Sequence, residues 1–167
     1  MRGAARALSS AAAANRPAPR ARDAYSWYTS CETRWADNDV YGHLNNTVYY
    51  ALIDSAVNKY LLARSALTLP VAAPASPATT SDAALGVVVS SGCVFFHSLA
   101  YPGAVDAGVR VARVGTSSVT FEVGLFGAGA TTPAAQGHFT HVYVHAGSRR
   151  PVARLPAPLA AAVAALA

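Results

Sequence analysis

Hydrophobic and polar side chains alternate along the chain from Ala24 to Trp35. Aromatic, cysteine and threonine side chains recur there at every second position, which is the period of one face of a β-strand. The pattern stops at residues 36–39, where Ala-Asp-Asn-Asp consists largely of residues that favour turns. We therefore predict a first strand followed by a turn. The positions predicted to share one face are Tyr25, Trp27, Thr29, Cys31, Thr33 and Trp35.

A different period follows between Thr47 and Ala63. Apolar side chains recur there at spacings of three and four residues, and no Gly or Pro interrupts them, which is typical of an amphipathic helix. The segment therefore predicts one long helix. The positions expected to face its core are Val48, Leu52, Ala56, Val57, Tyr60 and Leu61.

Four further segments have the length and the β-branched and aromatic content of strands. They are Leu85–Leu99, Gly103–Val114, Ser118–Phe126 and Gln136–His145. Gly and Pro residues separate them at 101–103, 115–116 and 127–133, as antiparallel hairpin connections require. About five strands and one long helix pack most economically when a curved antiparallel sheet wraps around the helix and buries its full circumference. The sequence therefore predicts an α+β domain over residues 23–160.

Two segments fall outside this pattern. Residues 66–84 contain three prolines among Ala, Ser and Thr, a composition that buries too little apolar surface to order itself. We expect a flexible surface insertion there. After Pro156 the chain is rich in alanine, and we predict a short helix beyond Pro158 and a tail over residues 161–167.

The formal charge of +5 is concentrated at one end of the chain. Five arginines precede the first acid, Asp23, whereas the remaining chain carries eight basic and eight acidic side chains. Nucleic-acid binding needs clustered Lys and Arg on the folded surface, so we expect no nucleic-acid partner. Residues 1–22 have the composition of an organelle transit peptide, rich in Arg, Ala and Ser and without acids. Mitochondrial import fits best, and a plastid address or an unstructured tail on a cytoplasmic protein is the alternative.

Several other classes of protein find little support in the sequence. No uninterrupted run of about 18 strongly apolar residues occurs, so we expect no membrane span. Cys31 and Cys93 lack metal spacing and are expected to be small core residues without a disulfide. In a strand, His138 would face away from His141 and His145, which disfavours a shared zinc. We predict no metal or other cofactor.

The segment between the first strand and the helix, residues 34–46, concentrates polar chemistry. It holds Asp37, Asp39, His43, a glycine and several asparagines directly before the first backbone N–H groups of the helix, which are unsatisfied and electropositive. Thioester hydrolysis needs a group that attacks the carbonyl or activates water, and donors for the oxygen that becomes negative. A carboxylate before a helix supplies both. The structural alternative is that the acids only form the turn while Asn45 or Asn46 caps the helix.

The segment Arg34–Leu62 resembles the 4-hydroxybenzoyl-CoA thioesterase branch of the hotdog superfamily. It combines a D-x-D-x-x-G turn, an H-x-N-N helix entry, the pair Tyr49-Tyr50 and Asp54, in the order of that family. The similarity extends over roughly residues 25–160. It implies the hotdog fold, a curved sheet around one central helix, and hydrolysis of acyl-CoA to free acid and coenzyme A.

The same resemblance assigns roles in the turn. It implies that Asp39 is the nucleophile or general base and that the backbone N–H of Asn46 polarises the thioester carbonyl. His43 and Asn45 would shape the site or orient water. Family members are dimers whose acyl channel follows the subunit boundary, so we expect a homodimer or homotetramer. The residues expected to contact substrate, some of them from the second chain, are Tyr41, Gly42, Ser90 and Ser91.

The predicted strand over Val89–Cys93 departs from the family pattern. Many relatives carry an acid at the position of Ser90 and a histidine at the position of Gly92. This departure leaves two alternatives to an acyl-CoA thioesterase: a non-catalytic hotdog subunit that binds acyl groups or serves in an assembly, and a thioesterase that acts on acyl-carrier protein.

Overall fold

The computed structural model describes residues 17–67 and 84–167. Residues 1–16 of the expected transit peptide and residues 68–83 of the expected insertion lie outside the described residues. Short 3₁₀ turns cover Arg22–Ala24 and Trp35–Asp37. The strands and longer helices are β1 (Trp27–Glu32), α1 (Asn46–Ala63), β2 (Ala84–Phe95), β3 (Ala104–Val114), β4 (Ser118–Gly127), β5 (Ala135–His145) and α2 (Ala157–Ala164).

The five strands form one curved antiparallel sheet in the order β1-β3-β4-β5-β2, and α1 packs on its concave face. This is the predicted hotdog fold. The hairpins expected at residues 115–116 and 127–133 are confirmed, because β4 pairs with both β3 and β5. The hairpin expected at residues 101–103 is wrong. Strand β2 pairs with β5 at the far edge, so the chain after β2 crosses the sheet to reach β3.

The core lies between α1 and the concave face of the sheet. Ile53, Val57 and Tyr60 of α1 have no measurable exposure. A side chain at Gly137 would overlap Cδ1 of Ile53, so glycine allows the helix to lie close to β5. The strands contribute buried aliphatic and aromatic side chains opposite the helix: Val105, Ala107, Val109, Val111, Val119, Phe121, Val123, Leu125, Ala135 and Phe139.

Only one side of α1 is buried, so the expectation that its full circumference would be covered is wrong. The buried stripe includes Tyr49 and Ile53, whereas Val48 and Leu52 are only half-buried. The other side carries exposed polar residues such as Asp54, whose burial without partners would be costly. Hence the sheet covers one side of the helix and leaves the opposite side to solvent.

The side chains predicted to share one face of the first strand do so only in the middle of that strand. Trp27, Thr29 and Cys31 pair with residues whose side chains face the core, and Trp27 packs edge-on against Tyr60 at 5.3 Å. Tyr25 instead packs against Phe126 on the convex face, with ring centroids 5.6 Å apart. The 3₁₀ turns at the two ends interrupt the period of two, and Trp35 is consequently 82% exposed.

Arg20 and Arg22 contact the convex face, although the expected leader extended to residue 22. The Arg22 guanidinium lies 2.7 Å from the Asp106 carboxylate and 4.7 Å from the Tyr28 ring centroid. Glu122 joins Arg20 at 2.8 Å and Arg110 at 3.2 Å. The backbone N–H of Arg22 also donates to the carbonyl oxygen of Thr131 at 2.9 Å. Ordered contacts of the domain therefore begin before the expected boundary. The convex-face cluster consists of Arg20, Arg22, Asp106, Arg110 and Glu122.

The alanine-rich C-terminus is part of the core. Helix α2 begins at Ala157 rather than after Pro158, with Pro156 at the N-cap. Within residues 161–167, expected as a tail, Val163 and Leu166 are 3% and 2% exposed. Neither α1 nor α2, among the described residues, is long and apolar enough to cross a membrane.

Candidate active site

The first acid of the turn, Asp37, is a structural residue. Its carboxylate accepts hydrogen bonds from the backbone nitrogen of Arg34 at 2.7 Å and from Nη2 of the Arg34 guanidinium at 2.8 Å. The hydrogen bonding of the Arg34 side chain, together with that of its backbone, lowers the pKa of Asp37, although burial of the carboxylate acts in the opposite direction. The Asp37 carbonyl oxygen accepts the Asn45 N–H at 2.8 Å. Asp37 therefore ties the start of the turn to the start of α1.

The second acid, Asp39, closes a tight loop with one carboxylate oxygen. Its Oδ1 accepts from the backbone nitrogens of Tyr41 at 2.8 Å and His43 at 3.3 Å. The Asp39 N–H donates to the His43 carbonyl at 2.8 Å. Gly42 has a φ of +80°, a conformation that glycine adopts readily. Among the described residues, Oδ2 of Asp39 has no hydrogen-bond partner, so the loop orients the carboxylate and leaves one oxygen open.

The start of α1 leaves one N–H group without an acceptor. Asn45 is the N-cap, and its Oδ1 accepts from the Thr47 backbone nitrogen at 3.1 Å. Its carbonyl oxygen accepts from the Val48 nitrogen at 2.9 Å. Within the described part of the chain, the Asn46 N–H has no acceptor. The structural alternative thus holds for Asn45, while Asn46 presents a donor at the positive end of the helix.

Asp39 lies between two open cavities. We call the first the Asp39 cleft; it measures about 460 Å³ and brings Asp39, His43 and Asn46 together. We call the second the Trp35 pocket, which measures about 710 Å³ on the other side of the loop. The remaining residues of the Asp39 cleft are Leu44, Tyr49, Phe95, Phe96, His97 and Ser98. The Trp35 pocket is lined by Trp35, Asn38, Asp39, Val40, Tyr41, Gly42 and Asn45.

One wall of the Asp39 cleft was not anticipated from the sequence. The predicted strand ran to Leu99, whereas β2 ends at Phe95 and residues 96–98 form this wall. Tyr49 accepts the Leu99 N–H at 3.1 Å through its hydroxyl, and burial raises the pKa of that hydroxyl. The Leu44 N–H donates to the Leu99 carbonyl at 2.8 Å. The wall is thereby fixed to both α1 and the loop. The sequence offered one signal for this wall, the polar side chain of His97 within an otherwise largely apolar run.

Ser90 and Ser91 line neither cavity of the single chain. Ser91 pairs with Phe139 on the concave side, whereas Ser90 pairs with Thr140 on the convex side after a bulge at Val89. Both serines are exposed on the edge strand. Only Ser91 has the orientation expected of a residue that faces the helix side of the sheet.

Other candidates from the sequence lie away from the cleft. Asp54 is exposed on α1, and its Oδ1 accepts from Asn58 at 3.1 Å. His138 and His141 lie on opposite faces of β5, as strand geometry predicts. Cys31 and Cys93 are free, and burial raises the pKa of the Cys93 thiol to about 11. Within residues 17–67 and 84–167, His, Cys, Asp and Glu side chains form no group of three able to hold a metal ion.

A curved antiparallel sheet packed on one long helix is the architecture of the hotdog fold. The family model of the Thioesterase-like superfamily matches residues 33–163, and the chain belongs to this superfamily. A search of curated proteins found no match.

Solved structures show the same fold. The PA5185 protein from Pseudomonas aeruginosa is 42% identical, with a TM-score of 0.78 over 89% of this chain and 96% of that one. Slr0204, a 1,4-dihydroxy-2-naphthoyl-CoA thioesterase from Synechocystis, is 15% identical, with a TM-score of 0.70 over 83% and 95%. The gentisyl-coenzyme A thioesterase BH1999 is 18% identical, with a TM-score of 0.64 over 82% and 99%.

Proposed function

We propose that this thioesterase-superfamily protein hydrolyses acyl-CoA thioesters to a free acid and coenzyme A. The observation that carries the proposal is that Asp39 and Asn46 line one cleft with complementary free groups. Asp39 presents a carboxylate oxygen, and Asn46 presents a backbone N–H. Two solved relatives of the fold carry acyl-CoA thioesterase activities in their names, which supports the same substrate class.

In the proposed reaction, Asp39 acts as the nucleophile or as the general base that activates water. The two N–H groups that bind Oδ1 hold the carboxylate in one orientation. The loop therefore fixes the direction in which the other oxygen, Oδ2, points. General-base assistance of this kind typically contributes about 10²–10⁴-fold to a rate.

The start of α1 is the proposed oxyanion site. When the carbonyl carbon is attacked, its oxygen becomes negative and needs a donor that is already in place. The Asn46 N–H is the donor proposed for this role, because it has no acceptor within the described residues and Asn46 lines the Asp39 cleft. The partial positive charge of the helix end adds about 0.3–1 kcal/mol at an exposed site.

We further propose that the protein acts as a homodimer or homotetramer in which two β2 edges pair. Strand β2 has no charged side chain, and Val87, Val88 and Val89 are 41%, 44% and 59% exposed. A long apolar edge strand of this kind is a ready template for pairing with another strand. Pairing with a second copy would cover the edge and bring Ser91 towards the shared concave side.

Mitochondrial import stays part of this proposal. The arginine-rich, acid-free leader supports it, and plastid import or a cytoplasmic location is the alternative. Because Arg20 and Arg22 bind the convex face, removal of a leader should occur before Arg20. Sequencing the N-terminus of protein recovered from fractionated mitochondria tests the location and the cleavage position together.

The test is a thiol-release assay with benzoyl-CoA, hexanoyl-CoA and the corresponding acyl-carrier-protein thioesters, comparing the wild type with Asp39→Asn. The asparagine oxygen can still accept the Tyr41 and His43 N–H groups, so the loop should stay folded. We expect kcat to fall by at least about 10²-fold. Asp23→Asn, an exposed change on the opposite side of the sheet, is the matched control and should retain wild-type activity.

The outcomes separate the proposed function from its alternatives. Undiminished activity in Asp39→Asn would reject the role of Asp39. Tight binding of acyl-CoA without turnover by the wild type would favour the non-catalytic hotdog subunit. Turnover of acyl-carrier-protein thioesters but not of acyl-CoA would show that the protein is an acyl-carrier-protein thioesterase.

A further inference from the structure

The Asp39 cleft contains a second imidazole, that of His97, which lies outside the Asp39 loop. His43 belongs to the loop itself, and its backbone nitrogen binds Asp39. His97 instead follows the end of β2 and reaches the cleft from the sheet. The two histidines therefore line the cleft from different elements, one from the loop that holds the carboxylate and the other from the segment after β2.

The backbone at His97 is held firmly while its side chain is free. The N–H groups of Phe96 and His97 both donate to the carbonyl oxygen of Ala134, at 2.7 and 3.1 Å. Two residues further on, Leu99 is bound to Tyr49 of α1 and to Leu44 of the loop. The His97 imidazole is exposed and has no hydrogen-bond partner among the described residues. A side chain whose backbone is held in place and whose polar group has no partner in the protein is suited to act on a ligand.

Breakdown of a thioester adduct needs a proton on the departing sulfur. In the adduct, the attacking oxygen and the leaving sulfur are on different sides of the former carbonyl carbon. In the proposed reaction Asp39 serves the attacking oxygen and Asn46 binds the carbonyl oxygen, so neither group is engaged with the sulfur. His97 lines the same cleft from a different element, and imidazole is the side chain most often used for proton transfer.

We propose that His97 donates the proton to the leaving thiol, an inference that rests on the proposed hydrolysis. Water adds to the carbonyl carbon and gives a proton to Asp39. The C–S bond then breaks, its electron pair goes to sulfur, and the sulfur takes a proton from the His97 imidazolium. The proton held by Asp39 returns to His97 through solvent. The net reaction consumes one thioester and one water and forms one acid and one thiol.

Leaving-group dependence tests this role. The variants His97→Asn and His97→Gln are compared with wild type on benzoyl-CoA and hexanoyl-CoA, and on the S-phenyl thioesters of the same two acids. An aryl thiolate is stable enough to leave without a proton, whereas the alkyl thiolate of coenzyme A benefits from one. We expect about a 10²-fold loss of kcat on the CoA esters and less than about a threefold loss on the phenyl esters. His138→Asn, on the convex face, should change neither rate.

Each result is decisive for one claim. If wild type hydrolyses neither class of ester, the proposed hydrolase function fails. If wild type is active but the His97 variants match it on both classes, or lose the same factor on both, His97 does not donate this proton. Because the imidazole has no protein partner to lose, the melting temperature of both variants should equal that of wild type. If one variant is unstable, the comparison between ester classes is made with the other.

Discussion

The convex-face cluster and the Asp39 cleft use polar side chains in opposite ways. In the cluster, Arg22 meets Asp106, and Glu122 lies between Arg20 and Arg110, so each charge faces an opposite one. In the cleft, one oxygen of Asp39, the Asn46 N–H and the imidazoles of His43 and His97 lack hydrogen-bond partners among the described residues. Both regions lie on the same sheet and its connections, yet only the convex-face cluster pairs its polar groups with one another.

This difference indicates what each region contributes. Native proteins pair most of their polar groups, and groups left unpaired concentrate where a ligand will supply the partner. The cluster therefore contributes stability and anchors the N-terminal segment. The Asp39 cleft keeps its donors and acceptors for a substrate, and the hydrogen bonds nearby orient those groups instead of occupying them. Mutations in the two regions should consequently affect different measurements.

The largest expected change in stability is that of Arg22→Ala. The variant loses the 2.7 Å ion pair with Asp106, a 3.2 Å hydrogen bond to the Ala130 carbonyl and the contact with the Tyr28 ring. Both partners of the ion pair are partly exposed, which weakens it, so we expect the free energy of unfolding to fall by about 2 kcal/mol. Urea unfolding measures the change. Hydrolysis should be unaltered below the unfolding transition.

The matched control is Arg113→Ala, because Arg113 is exposed and makes no ion pair within the described residues. Its free energy of unfolding should change by less than about 0.5 kcal/mol. If Arg22→Ala reduced activity at full folding, the convex face would take part in the reaction and the contrast between the two regions would fail.

A smaller effect is expected from Asp37→Ala, at the border between structure and site. The variant removes the acceptor of the Arg34 N–H and should lower the free energy of unfolding by about 1–2 kcal/mol. The folded-state pKa of Asp37 lies below its ordinary value of 3.8. Its stabilisation is therefore complete above that pH, begins to fall below it, and is lost once the pH passes the folded-state pKa.

The measurement is urea unfolding of wild type and Asp37→Ala at neutral pH and at successively lower pH. The difference between the two proteins should shrink under acid conditions. Asp39→Asn provides the comparison, since it keeps an acceptor for both loop N–H groups and should cost little stability at neutral pH. A stability loss that is equal for both acids would show that the turn does not divide their roles.

The sequence predicted the elements of the fold well because their patterns are local. The helix expected from Thr47 begins at Asn46, and the later strands lie within a few residues of their expected ends. The order of strands was only partly predicted. The pairing of β2 with β5 depends on contacts distant in sequence, such as Gly86 with Tyr143, and such contacts leave no periodic pattern.

The same distinction explains what was found of the candidate site. Asp39, His43 and Asn46 come together because one loop and one helix start contain all three. His97 was missed because it reaches the cleft only through the crossover after β2, and the apolar run around it predicts a longer strand. Ser91 lies on an edge whose surroundings a single chain does not include. Its role stays a prediction.

The smallest expected effect concerns the wall of the cleft. Tyr49→Phe removes the hydroxyl that accepts the Leu99 N–H but keeps the ring, which packs edge-on against Phe95 at 5.1 Å. Loss of one half-buried hydrogen bond should lower the free energy of unfolding by about 1 kcal/mol. Because the same bond fixes the segment that carries His97, the variant should also lose activity on CoA esters, and less on phenyl esters.

Tyr60→Phe is the matched control for this change. The Tyr60 hydroxyl donates to the Ala162 carbonyl at 2.5 Å, on the side of α1 that faces α2, and Tyr60 does not line the Asp39 cleft. Both variants lose one tyrosine hydroxyl and one hydrogen bond, so their stability losses should be similar. Only Tyr49→Phe should discriminate between the two leaving groups. If each variant lost activity by the same factor on CoA esters and on phenyl esters, the wall would support the fold alone. The working groups of the cleft would then be only those of Asp39 and Asn46.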